Sequence, residues 1–181
     1  MRIVAGKYRG VLLNTFDLDN IRPTSDKVRE AIFSKIQFDI QGSNWLDLFG
    51  GTGAVGLEAL SRGASSVIVA DDNMDSCKLI EKNYAKCKIK PDLIKSNFIK
   101  TLAYLSSKGS KFDYIFLDPP FATNFGEKSI RLIAEYNLLN EDGMIIYEHA
   151  KDNKEVILPQ GFEVKDIKNY GTIAVTYITK I

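Results

Sequence analysis

The chain has 181 residues, 45% of them hydrophobic and 26% charged, and a net charge of +1. That length suits one main domain with a sizeable core, while near-neutrality argues against the uniformly basic body of a nonspecific nucleic-acid binder. No apolar run approaches the length that crosses a bilayer, so no membrane partner is expected.

The opening MRIVAGKYRG has no apolar stretch of signal-peptide length, and Cys77 and Cys87 form neither a CxxC pair nor a disulfide scaffold, which fits a reducing cytoplasm. RIVAGKYRGVLL reads as two short strands about a Gly-Lys turn, a small N-terminal β-hairpin. Its Arg2, Lys7 and Arg9, with no acid in the first thirteen residues, make either a basic patch or a solvated hairpin face. RPTSDKVREAIFSKI then predicts a helix capped by Ser25 or Asp26, with Val28, Ile32, Phe33 and Ile36 at helical spacing. Residues 1–24 read as the hairpin extension and 25–181 as the main domain.

From Asn44 onward strands alternate with helices: WLDLF, SVIVAD, DLIKS, DYIFLD and GMIIYEH are separated by AVGLEALSRG, DSCKLIEKNYAKC, FIKTLAYLSSK and EKSIRLIAEYNLL. Alternation of this kind predicts an α/β fold, a mostly parallel sheet with helices on both faces. FEVKDIKNYG and TIAVTYITK follow with no helix between them, so an antiparallel C-terminal hairpin completes a seven-stranded sheet. The single histidine, His149, ends an apolar run without metal-ligating partners and is read as structural; no metal is expected.

DLFGGTGAVG carries a GxGxxG at Gly51, Gly53 and Gly56, with Gly50 beside it, between a strand and a helix. Glycines permit a tight turn and let a ligand approach the backbone, and Gly56 lets helix and strand pack closely. Asp71, at the end of the next strand, is spaced to hold a ribose diol, so the loop reads as a nucleoside-cofactor site. NAD matches the fingerprint. Asp47, however, is poorly placed beside a pyrophosphate and well placed to attract an ammonium, which favours S-adenosylmethionine.

FLDPPF closes an apolar run with an acid, two prolines and a ring. Pro119 and Pro120 lack amide donors and fix φ, so the loop is rigid and rich in acceptors. It suits a ligand that donates: the two N–H bonds of a nucleobase amine, held by the Asp118 carboxylate and the Pro119 carbonyl with Phe121 stacked on the ring. The ordinary alternative is a helix start, with Asp118 as N-cap and proline in the first turn.

DLFGGTG, Asp71 and DPPF resemble the motifs of Rossmann-like S-adenosylmethionine-dependent methyltransferases acting on exocyclic amines. MRIVAGKYRG, RPTSDKVREAIF, LDLFGGTGAVGLEALSRGA and FLDPPF resemble more narrowly the bacterial small-subunit ribosomal RNA guanine-N2 methyltransferase family, RsmD, over nearly the whole chain. The resemblance implies that Asp47, Gly50, Gly51 and Gly53 line the methionine side of the cofactor, that Asp71 or its neighbour Asp72 takes the ribose, and that Asp118 to Phe121 hold the target base beside the methyl group. Asn97 stands where the family often has an Asp beside the adenine amine; its carbonyl retains the acceptor. Arg2, Lys7, Arg9, Arg22 and Arg29 become candidates for RNA phosphate contacts, although Arg22 and Thr24 are also placed to face the cofactor. The implied partner is ribosomal RNA within a small subunit or an assembly intermediate, met by a monomer. Other amine substrates (DNA adenine, protein glutamine), an NAD-dependent oxidoreductase and an assembly module without chemistry are the rival readings.

Overall fold

The computed structural model describes residues 1–16, 25–152 and 156–181, so Arg22 and Thr24 lie outside the described residues. Five helices and seven strands follow in chain order: α1 (Asp26–Lys35), β1 (Asn44–Asp47), α2 (Ala54–Ser61), β2 (Ser66–Asp71), α3 (Met74–Lys86), β3 (Asp92–Lys95), α4 (Phe98–Ser107), β4 (Phe112–Leu117), α5 (Phe125–Glu135), β5 (Leu139–Ala150), β6 (Phe162–Tyr170) and β7 (Ile173–Lys180). No helix among the described residues is long and apolar enough to cross a membrane.

The strands form one sheet in the order β3-β2-β1-β4-β5-β7-β6. β3, β2, β1, β4 and β5 run parallel, whereas β7 is antiparallel to both β5 and β6. The chain is thus the expected α/β sheet with a C-terminal antiparallel hairpin. Alternation along each strand divides its side chains between two cores. Trp45, Tyr114 and Phe116 face α1, α2 and α3 with Phe33, Leu57 and Tyr84. Leu46, Ile115 and Leu117 face α4 and α5 with Leu102, Leu105 and Ile133. Helices therefore cover both faces.

Local chemistry sets the helix ends. Ser25 caps α1 by accepting from the Val28 amide at 3.2 Å, and Asn73 caps α3 by accepting from Asp75 and Ser76. α5 stops at Glu135, short of the leucines that its sequence pattern includes, because Asn137 turns to φ +50°. The Asn137 and Leu138 amides then donate to Ala134 and Ile133, which closes the last turn and releases Leu139 into β5.

The N-terminal hairpin is short: one bridge, Arg2 with Leu12, is flanked by backbone bonds from Ile3 to Val11, Gly10 to Ile3 and Leu13 to Met1. Amides that a longer ladder would use donate to α2 instead. Val4 and Ala5 donate to the Glu58 carboxylate at 2.8 and 3.0 Å, and Lys7 and Tyr8 to Ser61. Gly6 sits so close to the end of α2 that a Cβ there would lie 1.8 Å from the Ser61 carbonyl oxygen. Ile3 and Leu13 are buried in the α1–α3 core.

Glu58 itself is fully buried and also receives Arg62 Nε at 2.8 Å and Arg29 Nε at 3.5 Å. This requires a correction. Arg29, expected at phosphates, has no exposed surface; its guanidinium donates to the Arg2 carbonyl and to Asp26 and faces Glu58. A cation spent inside the fold has nothing left to offer an RNA backbone. Removing one partner of such a network leaves buried charge and amides uncompensated, so Glu58→Ala is expected to cost about 3–5 kcal/mol. Denaturant or thermal unfolding checks this, and a loss under about 1 kcal/mol would show that water satisfies the N-terminal amides as well as the carboxylate does.

Candidate functional site

β1 and β4 are central neighbours, with Asp47 in register with Phe116. Beyond them the chain diverges: after β1 it enters the glycine loop and α2 on one face, and after β4 it reaches α5 on the other. A crevice at the carboxyl ends of the strands results, where open parallel sheets bind ligands.

The glycine loop is built by backbone contacts. Gly50 donates to the Ala70 carbonyl at 2.8 Å and lies so near β2 that a Cβ would stand 2.4 Å from Val69 Cγ1. Gly51 and Gly53 take left-handed φ of +55° and +76°, Gly53 as the N-cap of α2. The Gly51 amide donates to Asp71 Oδ2 at 2.8 Å and the Asn73 amide to Oδ1 at 2.9 Å. Asp71 is thus oriented by the loop it serves. Gly56 packs against β2 and α3 as expected, a Cβ there meeting the Tyr84 hydroxyl at 2.5 Å.

The crevice encloses about 660 Å³, within the range of small-molecule sites. Asp47, Gly50, Gly51, Asp71, Asp72 and the whole Asp118–Phe121 loop line it, so the structure brings these sequence-derived candidates together. Gly53 does not line it and acts through the turn. Asn97 does not line it either. Its side-chain oxygen accepts from the Lys100 amide at 3.0 Å as the cap of α4, and its neighbours Ser96 and Phe98 form the wall.

DPPF is not a helix start. α5 begins only at Phe125, with Asn124 at its cap position, and Thr123 closes the intervening turn by donating to the Pro120 carbonyl at 2.7 Å. The cap position of α5 is thus Asn124 and not Asp118, whose charge contributes, after burial and Glu127, to raising the nearby Tyr147 hydroxyl.

Residues that sequence reading missed complete the site. Phe49, Phe98 and Phe125 form an arc of tilted rings, 5.6 and 5.0 Å between successive centroids, beside half-exposed Phe121. Phe98 and Phe125 each directly follow a helix cap position, Phe98 close to the end of β3, a placement that could have flagged them. Met1, Phe16 and Thr52 also line the crevice, and no local pattern announces Met1 or Phe16.

Charge is the site's most distinctive property: the described lining includes four aspartates, Asp47, Asp71, Asp72 and Asp118, and no lysine or arginine. Asp47 is buried, with no close hydrogen-bond donor on either oxygen and only the more distant Gly56 amide directed at it. Burial first, and the Asp71 charge second, push its carboxyl up to about 7, against the pull of the Gly56 amide. Burial likewise raises Asp71, opposed by its Gly51 and Asn73 amides. Beneath the loop the buried Tyr84 hydroxyl has no hydrogen-bond partner, and desolvation and Asp47 hold its proton on firmly. Such a site repels phosphate and attracts a cation.

Of the remaining candidates, Arg2, Lys7 and Arg9 are exposed on the N-terminal segment. His149 is buried, its ring nitrogens 2.8 Å from Thr176 Oγ1 and 2.9 Å from the Ala150 carbonyl, a structural placement.

The family described as conserved hypothetical protein 95 matches residues 1–179. Ribosomal RNA small subunit methyltransferase D of Haemophilus influenzae is 33% identical over 176 residues, covering 96% of this chain and 91% of that protein. Among solved structures, a putative methyltransferase, yhhF, from Escherichia coli superposes with a TM-score of 0.87 at 28% identity, covering 99% of this chain and 97% of that one. A more distant likeness in fold, with a TM-score of 0.71 and 20% identity over 90% of this chain and 52% of that one, is SMU.776, a putative methyltransferase complexed with SAH.

A carboxyl held near 7 in the fold and near 4 in the unfolded chain is protonated between those values only when folded. Its contribution is present below about pH 4 and is lost as pH rises through about 7. Asp47→Asn is therefore expected to gain thermal stability relative to the parent over that interval and to keep the gain above it. A pH-independent difference would mean that Asp47 stays ionised in the fold.

Proposed function

The chain belongs to the family described as conserved hypothetical protein 95, which includes ribosomal RNA small subunit methyltransferase D, and from that membership we propose that it transfers a methyl group from S-adenosylmethionine to the exocyclic N2 amine of a guanine in small-subunit ribosomal RNA. The observation that carries the cofactor assignment is the acidic crevice with no described basic lining. A pyrophosphate would meet like charge there, whereas an α-ammonium and a sulfonium are compensated. SAH in the more distant neighbour, and a crevice of suitable volume here, support the same choice.

S-adenosylmethionine supplies an electrophilic methyl group on a sulfonium. In this reading the ionised Asp47 carboxylate faces the ammonium, Asp71 accepts from the ribose diol with Asp72 at the rim, and Phe98 with Ser96 flanks the adenine. Asp118 and the Pro119 carbonyl accept the two N–H bonds of the guanine amine. An amine conjugated with its ring is a poor nucleophile; holding both hydrogens turns its lone pair out of conjugation and aims it. Rigid prolines keep that geometry, and positioning of this kind supplies about 7–11 kcal/mol of a barrier. Asp118 also faces the positive charge that develops on the nitrogen and receives, directly or through water, the proton that it loses. Phe121 stacks on the extruded base for about 1–3 kcal/mol. Arg2, Lys7 and Arg9 contact phosphates, and the protein works as a cytoplasmic monomer on a small subunit or an assembly intermediate. Residues 1–24 act as the RNA-facing extension of the 25–181 catalytic domain.

The decisive experiment incubates the protein with radiolabelled S-adenosylmethionine and unmodified small subunits and maps the labelled nucleoside by mass spectrometry. N2-methylguanosine is the expected product; label in adenine N6 or in protein would overturn the substrate assignment. Asp118→Ala is expected to lose at least about 100-fold in transfer rate while S-adenosylhomocysteine affinity, read by calorimetry, stays within about twofold. Asp71→Ala should instead weaken that affinity. Cofactor affinity should also rise with pH through about 7, as Asp47 ionises, and this slope should vanish in Asp47→Asn.

A further inference from the structure

A second basic surface lies beside the N-terminal segment. Residues 1–16 and 78–95 together hold nine lysines and arginines and only two acids, in a chain whose net charge is +1. The rest of the molecule is therefore net acidic. Lys78 and Lys95 are engaged by Asp75 and Glu81. Lys82, Lys88 and Lys90 are exposed, and no ion pair forms at them among the described residues.

Long-range hydrogen bonds join the two basic segments. Lys86 Nζ donates to the Leu12 carbonyl and to Asn14 Oδ1, both at 2.8 Å. Asn83 exchanges bonds with the Asn14 backbone and donates to the Thr52 carbonyl at 2.8 Å. Thr52 lines the acidic crevice, so the N-terminal segment and the end of α3 are tied to the crevice wall through the buried Asn83 side chain.

A solvated helix face explains some of these lysines, and the negative end of α3 explains Lys86 in its last turn. Neither explains Lys88. It has φ +58° at the position just past α3, where its amide donates to Ala85 while the Ile89 amide donates to Tyr84. That closing turn favours glycine or asparagine, and a lysine there bears a steric cost. A positive charge thus stands at a position whose backbone disfavours a lysine.

We infer that Lys82, Lys88 and Lys90 form a phosphate-binding surface for the RNA backbone, continuous with Arg2, Lys7 and Arg9, that holds the nucleic acid along the β3 edge of the sheet while the target base enters the crevice. This rests on the proposed RNA substrate. Phosphates contacted here contribute affinity and salt dependence, not sequence choice.

The test compares the parent with a Lys82→Gln, Lys88→Asn, Lys90→Gln variant; asparagine suits the left-handed position, so folding is spared. A labelled fragment of small-subunit ribosomal RNA is titrated between about 50 and 200 mM salt, and S-adenosylhomocysteine affinity and methyl transfer to small subunits are measured in parallel. The expected result is at least about tenfold weaker RNA binding, a salt slope shallower by about two to three, a raised KM for subunits and unchanged cofactor affinity. Lys165→Gln with Lys168→Gln, on the opposite edge strand β6, should change none of these. If the parent methylates subunits and the triple variant keeps its KM and slope, the surface is refuted and the function stands. If the parent binds S-adenosylhomocysteine but neither binds nor methylates RNA, the substrate reading falls and this surface with it.

Discussion

Beyond Asp47 and Leu117 the two central strands can no longer pair, because the chain leaves one toward α2 and the other toward α5. Every other feature of the site depends on that parting. Pairing of β1 with β4 brings an acid and a proline loop, distant in sequence, to adjacent strand ends, and opposite exits keep the space above them open. A side-by-side order of consecutive strands would have filled that space with a crossover.

Within the opening, electrostatics and backbone geometry work together. The glycine loop exists as a tight turn because Gly50 abuts Val69 and because Gly51 and Gly53 adopt conformations that side chains disfavour. It lends an amide to Asp71, yet leaves Asp47 buried with its oxygens unpaired. An unpaired buried carboxyl is costly in a resting protein and advantageous when a cation arrives, since neutralisation in a desolvated site is strong. The buried Tyr84 hydroxyl beneath the loop is likewise without a partner.

The N-terminal segment is part of this machinery through two polar anchors. Glu58 takes its amides into the core beside Arg29, and Asn83 ties Asn14 to Thr52. Hydrogen bonds that would have lengthened the hairpin secure it to α2 and α3 instead. Its basic side chains are thereby held at a defined place relative to the crevice, with Met1 and Phe16 contributing to the wall.

Periodicity in the sequence determined the alternation of strands and helices, since each pattern reflects burial of one face of a local element. Short-range chemistry likewise marked the glycine turn, Asp71 and DPPF, because φ, missing amides and spacing from a strand end are local properties. Side-chain partnership is not local, and there only the tertiary structure decided. Arg29 looks like a surface cation until Glu58, 29 residues away along the chain, proves to be buried beside it. Asn97 also caps α4, a second role for its oxygen that the sequence alone did not announce. The ring arc of Phe49, Phe98 and Phe125, and the convergence of four aspartates on one cavity, arise only when strand order brings remote segments together, an outcome set by the packing of whole elements and carried by no local pattern.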